Sequence, residues 1–495
     1  MNDIIFSDIS AFFGVFSSSR FHSALKFMHF LIKSFDFLHI YYYNNHSYSN
    51  RCYNMKFYGR EKELQSLKAS HQQNSATMTV ITGRRRIGKT RLILESIKNI
   101  TAVYLFVSRK SEALLCEEFL SEFQQKMQLP VYGQITRLKD LFGLIFEKAQ
   151  SGPIVVIIDE FQEFFHINPA IFSEMQSLWD RNKETAKIHL IISGSVYTLM
   201  KKIFQDAKEP LFGRANKHIF LTPFTPGTLS NILSEHTNPE PEDLLAFYIL
   251  TGGVPKYAEL FIEAKAFTLD EMLNVILQPD SPLLNEGKTL LIEEFGKEYT
   301  TYFSILSLIA CSKTGRSEIE SILEKNIGGY LNRLENDYNI IQRVRPIFSK
   351  PGSKSQKYLI NDNFLNFWFR FFYKYHSALE IHNFKYLKSV IFRDFNTFSG
   401  PMLEKYFREC LAETNRFSQI GQYWEKANQN EIDIVAVNDL EKTMLIAEVK
   451  RQKNRINYNK LIIKSNRIRQ MFPEYNYEYK KFSLEDMGEF TSNSK

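Results

Sequence analysis

The chain has 495 residues, of which 44% are hydrophobic and 24% charged, with a formal net charge of +7. That length exceeds a single compact core and points to about three domains, with the composition of a globular protein. No apolar run reaches the roughly 18–20 residues that a membrane-spanning helix needs, and the isolated Cys52, Cys116, Cys311 and Cys410 exclude a disulfide framework or a CxxC metal site, pointing to reduced thiols in a cytoplasmic protein.

Residues 1–54 are rich in Phe, Tyr, Ser, His and Asn. Their most apolar stretch, Leu25–Ile40, is interrupted by His29, Lys33, Asp36 and His39, and it lacks the basic lead and small-residue cleavage site of a secretory signal. The expectation is an extension outside the folded domains, with translation starting at Met55.

From residue 55 onward the pattern is that of a domain. Met78–Thr82 is a β-branched apolar run that leads directly into Gly83-Arg84-Arg85-Arg86-Ile87-Gly88-Lys89-Thr90, followed by the helix-forming Arg91–Ile97. This is GxxxxGK[ST] in its strand–loop–helix setting, a loop whose backbone amides cradle phosphates. Lys89 is expected to reach the β- and γ-phosphates of ATP, and Thr90 to offer its hydroxyl to Mg²⁺. Ile154–Ile158 is a continuous apolar run of the kind buried on both faces of a parallel sheet. It ends in Asp159 and Glu160, the first suited to the Mg²⁺ shell and the second to polarising the attacking water. A third apolar strand, Ile188–Ile192, ends in Ser193-Gly194-Ser195, where either serine could sense the γ-phosphate. Arg214, ahead of a strand at His218–Leu221, is the best candidate for an arginine that touches the γ-phosphate, in cis or from a neighbouring copy; a plain surface arginine is the alternative.

These residues resemble a known family. Phe57-Tyr58-Gly59-Arg60-Glu61-Lys62-Glu63-Leu64, the Gly83–Thr90 loop with its three arginines, Ile157–Gln162, Ser193–Ser195 and Thr251-Gly252-Gly253-Val254-Pro255-Lys256-Tyr257 look like the archaeal-type P-loop ATPases of the additional-strand STAND/AAA+ class. The resemblance implies an entry segment against the adenine, phosphate-loop contacts from residues 83–91, and a small helical lid whose GGxP turn stands near the nucleotide. It covers residues from about 55 to the C-terminus.

Residues 223–295 read as that lid. Helical periodicity at Tyr299–Cys311, Ser317–Lys325 and Gly328–Asp337, then strands at Ile340–Val344 and Lys357–Ile360, predict a winged helix over 296–362. Such a unit can read duplex DNA or act as a moving arm; Lys350, Lys354 and Lys357 on its wing would suit phosphates or remain solvated. The aromatic stretch Asn361–Phe372 opens a connector over 363–398 and is expected to pack rather than to stack bases.

After Gly400-Pro401 a helix over Met402–Glu413 carries Glu404. A short strand near Gly421–Glu425 follows, then Asp433 opens an apolar strand, and Glu448-Val449-Lys450 closes the next. The set resembles the PD-(D/E)XK nuclease fold, expected here over 399–475 with a tail from 476 to 495. Alternation along a strand puts Glu448 and Lys450 on one face. Asp433 and Glu448, with Glu404, could then hold Mg²⁺ or Mn²⁺, while Lys450 activates water. Arg451, Lys453, Arg455, Lys460, Lys464, Arg467 and Arg469 follow, a run suited to a phosphodiester backbone. The fold expected is therefore α/β, and the function an ATP-hydrolysing switch coupled to a DNA-directed, metal-dependent nuclease domain. The alternative is a non-catalytic ATP-dependent signalling or assembly protein, working as a homo-oligomer or with a protein partner, with no membrane involved.

Overall fold

The computed structural model describes residues 55–127, 133–295, 299–350, 352–353 and 355–489. The expected extension 1–54 and Lys354 lie outside the described residues. Among the described residues, no helix is long and apolar enough to cross a membrane.

Five strands, β1 (Thr77–Thr82), β2 (Ala102–Phe106), β3 (Ile154–Asp159), β4 (Ile188–Gly194) and β5 (Lys217–Phe220), form one sheet in the order β2-β3-β4-β1-β5. Every pairing is parallel. Every residue of β3 and β4 is buried, because helices cover both faces and a strand there has no wet side to leave polar. One face packs on Phe119, Phe142 and Trp179, the other on Leu67, Leu92 and Ile93. β4 lies between β1 and β3, so the loop after β1 and the carboxylates after β3 are separated by the width of one strand at the same, C-terminal, edge of the sheet. Ligands of open parallel sheets bind at that edge.

The segment 226–295 is helical, as expected. Its second helix, Pro241–Thr251, ends in a left-handed Gly252, and Gly253 follows at φ 71°. A Cβ on Gly253 would stand 2.5 Å from the Phe224 carbonyl, so the GGxP turn needs glycine to lie this close to the chain leaving β5. Three helices, Tyr299–Ala310, Arg316–Leu323 and Gly328–Asn332, precede an antiparallel hairpin of β6 (Ile341–Val344) and β7 (Lys357–Ile360). Phe364, Phe367, Trp368, Phe369, Phe371 and Phe372 are all buried, and Trp368 Nε1 donates to the Leu284 carbonyl at 2.7 Å. The aromatic stretch is packing, as anticipated.

Two boundaries differ from the expectation. The helix carrying Glu404 is one continuous element, Phe384–Glu413, and runs through Pro401. Proline normally ends a helix by removing a hydrogen bond. Here Leu387, Ile391 and Phe395 before it, and Leu403, Tyr406 and Phe407 after it, are buried, and that burial outweighs the lost bond. The four-stranded C-terminal sheet has the order β11-β10-β9-β8, from β8 (Gln419–Tyr423), β9 (Ile432–Asn438), β10 (Thr443–Val449) and β11 (Asn476–Phe482). β11 pairs in parallel with β10 along its whole length, so residues 476–482 belong to this domain rather than to a tail.

Candidate nucleotide site and C-terminal carboxylate site

Gly88, left-handed at φ 92°, opens the helix Lys89–Ser96 and turns the loop after β1 toward its own amides. Lys89 is 6% exposed and its ammonium donates to the carbonyls of Gly83 at 2.9 Å and Arg84 at 3.2 Å. Burial pulls its pKa below the ordinary lysine value, with Glu160 and Asp159 partly offsetting the effect. The Thr90 hydroxyl donates to Asp159 Oδ2 at 3.2 Å, and the Tyr104 hydroxyl donates to the same oxygen. Thr90 and Asp159 thus form a hydroxyl–carboxylate pair of hard oxygens, which fits Mg²⁺ held by few protein ligands and several waters. Glu160 sits at φ 54°, and its Oε2 accepts from Gln162 Nε2 at 2.5 Å and Ser195 Oγ at 2.7 Å. Of the two candidate serines, Ser195 is thus linked to Glu160; Ser193 is fully buried within β4, beside Ile81 of β1.

The loop arginines are held by other parts of the chain. Arg84 pairs with Asp362 and lies near the Tyr257 hydroxyl, at 3.2 Å. Arg86 pairs with the buried Glu286 at 3.0 Å, and Tyr257 donates to the same carboxylate at 2.7 Å. A Cβ on Gly88 would meet the Pro255 ring at 3.7 Å, so the GGxP turn does reach the phosphate loop. The entry segment is fixed by Arg60, which donates to the Thr222 carbonyl and stacks over Phe224 at 5.1 Å.

Arg214 lies elsewhere. β5 runs parallel to β1 with Lys217 level with Thr79, so Arg214 stands at the N-terminal edge of the sheet. The loop is at the opposite edge. Arg214 pairs with Asp180 at 2.9 Å and does not serve the phosphate loop of its own chain.

In the C-terminal sheet, β9 and β10 pair antiparallel through Ala447 and Ile434, and one step further Asp433 faces Glu448. Lys450 Nζ lies 3.1 Å from Asp433 and 3.3 Å from Glu448. Asp433 also accepts from the Val449 amide at 2.8 Å. Both oxygens of Glu448 accept from Lys464, at 3.0 and 2.9 Å. Glu404 accepts from Gln422 at 3.1 Å and lies 3.7 Å from Arg408. Burial first, and the Asp433 carboxylate second, raise the Glu404 pKa to about 7. Burial likewise raises that of Asp433. Burial opposes the Lys450 charge, but Asp433 and Glu448 outweigh it and hold its pKa above the ordinary value.

Among the described residues no three carboxylates, imidazoles or thiols stand together as a metal cluster. Asp433 and Glu448 converge on the Lys450 ammonium, while Glu404, the third carboxylate of the expected set, has its own partners in Gln422 and Arg408. Two hard oxygen donors meeting on one cationic position fit a divalent ion held largely by water.

The family described as an ATPase domain predominantly from Archaea matches residues 57–261. A second, described as archaeal and bacterial proteins of unknown function, matches residues 368–462. An uncharacterized protein of Methanocaldococcus jannaschii is 30% identical over 406 residues, covering 80% of this chain and 87% of the relative. The chain belongs to the archaeal P-loop ATPase family. An uncharacterized ATP-binding protein of the same organism is 25% identical over 222 residues, 38% of this chain and 65% of that one. The fold of the Walker-type ATPase of Pyrococcus abyssi superposes with a TM-score of 0.50 at 19% identity, over 63% of this chain and 96% of that chain.

Within this archaeal ATPase, several contacts escaped the sequence. Tyr104 and Gln162 hold Asp159 and Glu160, and Asp362 holds Arg84 from more than two hundred residues away. Gln162 closes the Ile157–Gln162 stretch, so proximity to Asp159 and Glu160 could have flagged it; nothing local marks Asp362. Lys464 stood in the basic run and turns out to face Glu448. The β6–β7 hairpin is also less free than the expected wing. Lys357 pairs with Glu431 at 2.7 Å and lies over Trp424 at 4.5 Å, and Phe348 packs on Phe472 at 4.5 Å. The hairpin therefore braces the C-terminal sheet, and Lys357 is not spare for a phosphate.

Proposed function

We propose that this archaeal ATPase binds Mg²⁺·ATP at Gly83–Thr90, hydrolyses it with Glu160 as the water-polarising base, and controls a metal-dependent phosphodiesterase site at Asp433, Glu448 and Lys450. The domain scheme is an ATPase core over 55–222, a helical lid over 223–295, a winged helix over 296–362, an aromatic connector over 363–398 and a nuclease-like domain from 399 through β11. The observation that carries the second activity is the convergence of Asp433 and Glu448 on the Lys450 ammonium at the ends of two paired strands. A divalent cation there would supply Lewis-acid stabilisation of the phosphorane charge. The chain's own part is to orient the phosphate through Lys450 and Lys464 and to present Glu404 as a proton acceptor or donor near neutral pH. Arg455, Lys460, Arg467 and Arg469, on the segment that follows Lys450, are exposed and would give DNA an electrostatic track.

The test is cleavage of plasmid and single-stranded DNA with Mg²⁺ or Mn²⁺, with and without ATP, comparing wild type with Asp433→Ala and Lys450→Ala. Cutting that both variants lose supports the reading. A second reading, an ATP switch whose C-terminal domain binds nucleic acid or protein without cutting, is favoured by one observation: Lys464 occupies both Glu448 oxygens. No cleavage under any condition, with ATP hydrolysis intact, would establish it.

A further inference from the structure

The phosphate loop and the C-terminal carboxylates are joined by a short run of polar contacts. Arg84, in the loop, pairs with Asp362. The other oxygen of Asp362 accepts from the Leu365 amide at 2.8 Å and caps the helix Asn363–Phe367, so the side chain is held from both ends. Its two neighbours in sequence grip one lysine: Lys405 donates to the Asn361 carbonyl and to Asn363 Oδ1, the latter at 2.8 Å. The residue before Lys405 is Glu404.

The helix Phe384–Glu413 separates these contacts by face. Successive helical residues point about 100° apart, and residues four apart share a face. Lys405 and Glu409 lie on the face toward the lid, where Tyr248 donates to Glu409 at 2.7 Å. Glu404 and Arg408 lie toward the C-terminal sheet, where Arg408 donates to the Asp433 carbonyl at 3.0 Å. A turn or slide of this helix that follows Lys405 must move Glu404 and Arg408 as well, because a helix is stiff over one turn. Arg84 is the natural origin of such a movement. A nucleotide triphosphate brings negative charge to its loop, and phosphate oxygens compete with the Asp362 carboxylate for the same guanidinium.

We propose that Asp362 and Lys405 form a relay that couples nucleotide occupancy of the phosphate loop to the position of Glu404 and Asp433 in the C-terminal site. Nucleotide draws Arg84 from Asp362, the 361–363 segment shifts, and Lys405 carries the long helix with it. Asp362 and Lys405 are positioning residues: neither touches a reacting atom. The relay gives the proposed nuclease-like site its regulation and rests on that reading for its consequence, but the coupling itself is physical and measurable without catalysis.

The test is hydrogen–deuterium exchange on the full chain, with and without Mg²⁺·ATP, read at peptides spanning 83–90 and 432–450. In wild type, nucleotide is expected to protect 83–90 and to change exchange at 432–450 by about fivefold or more, the lower end of ordinary coupling between sites. Lys405→Met and Asp362→Asn should keep the protection at 83–90 and lose the response at 432–450, while Lys405→Arg restores it. Asn363→Ala removes a single neutral acceptor and carries the test if the Lys405 variant does not fold. A wild-type response that survives unchanged in these variants overturns the relay, as does protection at 83–90 with no response at 432–450. Mn²⁺ titration by calorimetry separates the two ideas. If no protein binds Mn²⁺ yet the exchange response behaves as described, the metal reading of the C-terminal site falls and the relay stands.

Discussion

Lys89→Ala gives the sharpest measure of the nucleotide site. The Lys89 ammonium is buried and donates to two uncharged carbonyls, those of Gly83 and Arg84. A hydrogen bond with one charged partner contributes about 1.5–3 kcal/mol net, and an ammonium bonded to an anionic phosphate oxygen is at least that strong. Losing one such bond to a phosphate oxygen in Lys89→Ala therefore costs about 1.5–3 kcal/mol, or roughly tenfold to 150-fold in affinity. Isothermal titration calorimetry with Mg²⁺·ATP should show a loss of that size in the variant, and turnover should fall further as charge builds on the transferring phosphoryl group. The same side chain carries a burial cost in the free protein, which lowers its pKa. The variant should thus lose no thermal stability without nucleotide, and should lose only the stabilisation that nucleotide adds to wild type. Phosphate also restores the lysine's proton affinity, so binding at alkaline pH should take up protons, seen as a buffer-dependent heat. A dissociation constant within about twofold of wild type, where the reasoning asks for at least tenfold, would refute it. So would an affinity loss that accompanies a collapse of the free protein's melting temperature.

Three further outcomes follow from the same geometry. Glu160→Gln should leave Mg²⁺·ATP binding nearly unchanged and lower turnover by about 10²–10⁴, checked by single-turnover hydrolysis, since it removes the proposed general base without removing a proposed phosphate contact. His189 is buried, touches His71 Nδ1 at 2.8 Å and Thr79 at 2.9 Å, and burial pushes its pKa down to about 3. The native state then binds fewer protons than the unfolded one below about pH 6.5, so stability falls on acidification by about 2 kcal/mol at around pH 5; in equilibrium denaturation His189→Gln should flatten that loss. Glu404 titrates the other way: with its pKa raised to about 7, the native state holds the extra proton, so stability declines as pH rises from about 4.5 to 7. With 21% of the side chain exposed, the effect should be about 1–3 kcal/mol, and Glu404→Gln should remove it, giving a variant relatively more stable at about pH 8 and no different at about pH 4.

The sequence by itself determined what depends on neighbours along the chain. A parallel sheet covered on both faces demands largely apolar runs, so Ile154–Ile158 and Ile188–Ile192 were legible as buried strands. A phosphate loop demands glycine where the backbone is left-handed, so Gly88 and the Lys89–Thr90 pair marked themselves. The same holds for Glu448 and Lys450, because strand alternation puts them on one face, whereas the antiparallel pairing of β9 with β10 brought Asp433 opposite Glu448. Contacts between distant segments were decided only by the tertiary structure. The local breaker at Pro401 was overruled by apolar burial on both sides of it, and residues 476–482 became a strand because β10 offered an open edge. Arg214 was a candidate γ-phosphate arginine, and only the parallel pairing of β5 with β1 put it at the edge of the sheet far from the loop of its own chain. Asp362, Tyr104 and Lys405 carry no local signature at all: a lone charged or phenolic side chain acquires a partner only when the fold brings a distant segment within a few ångströms, and nothing in its own neighbourhood records which segment that is.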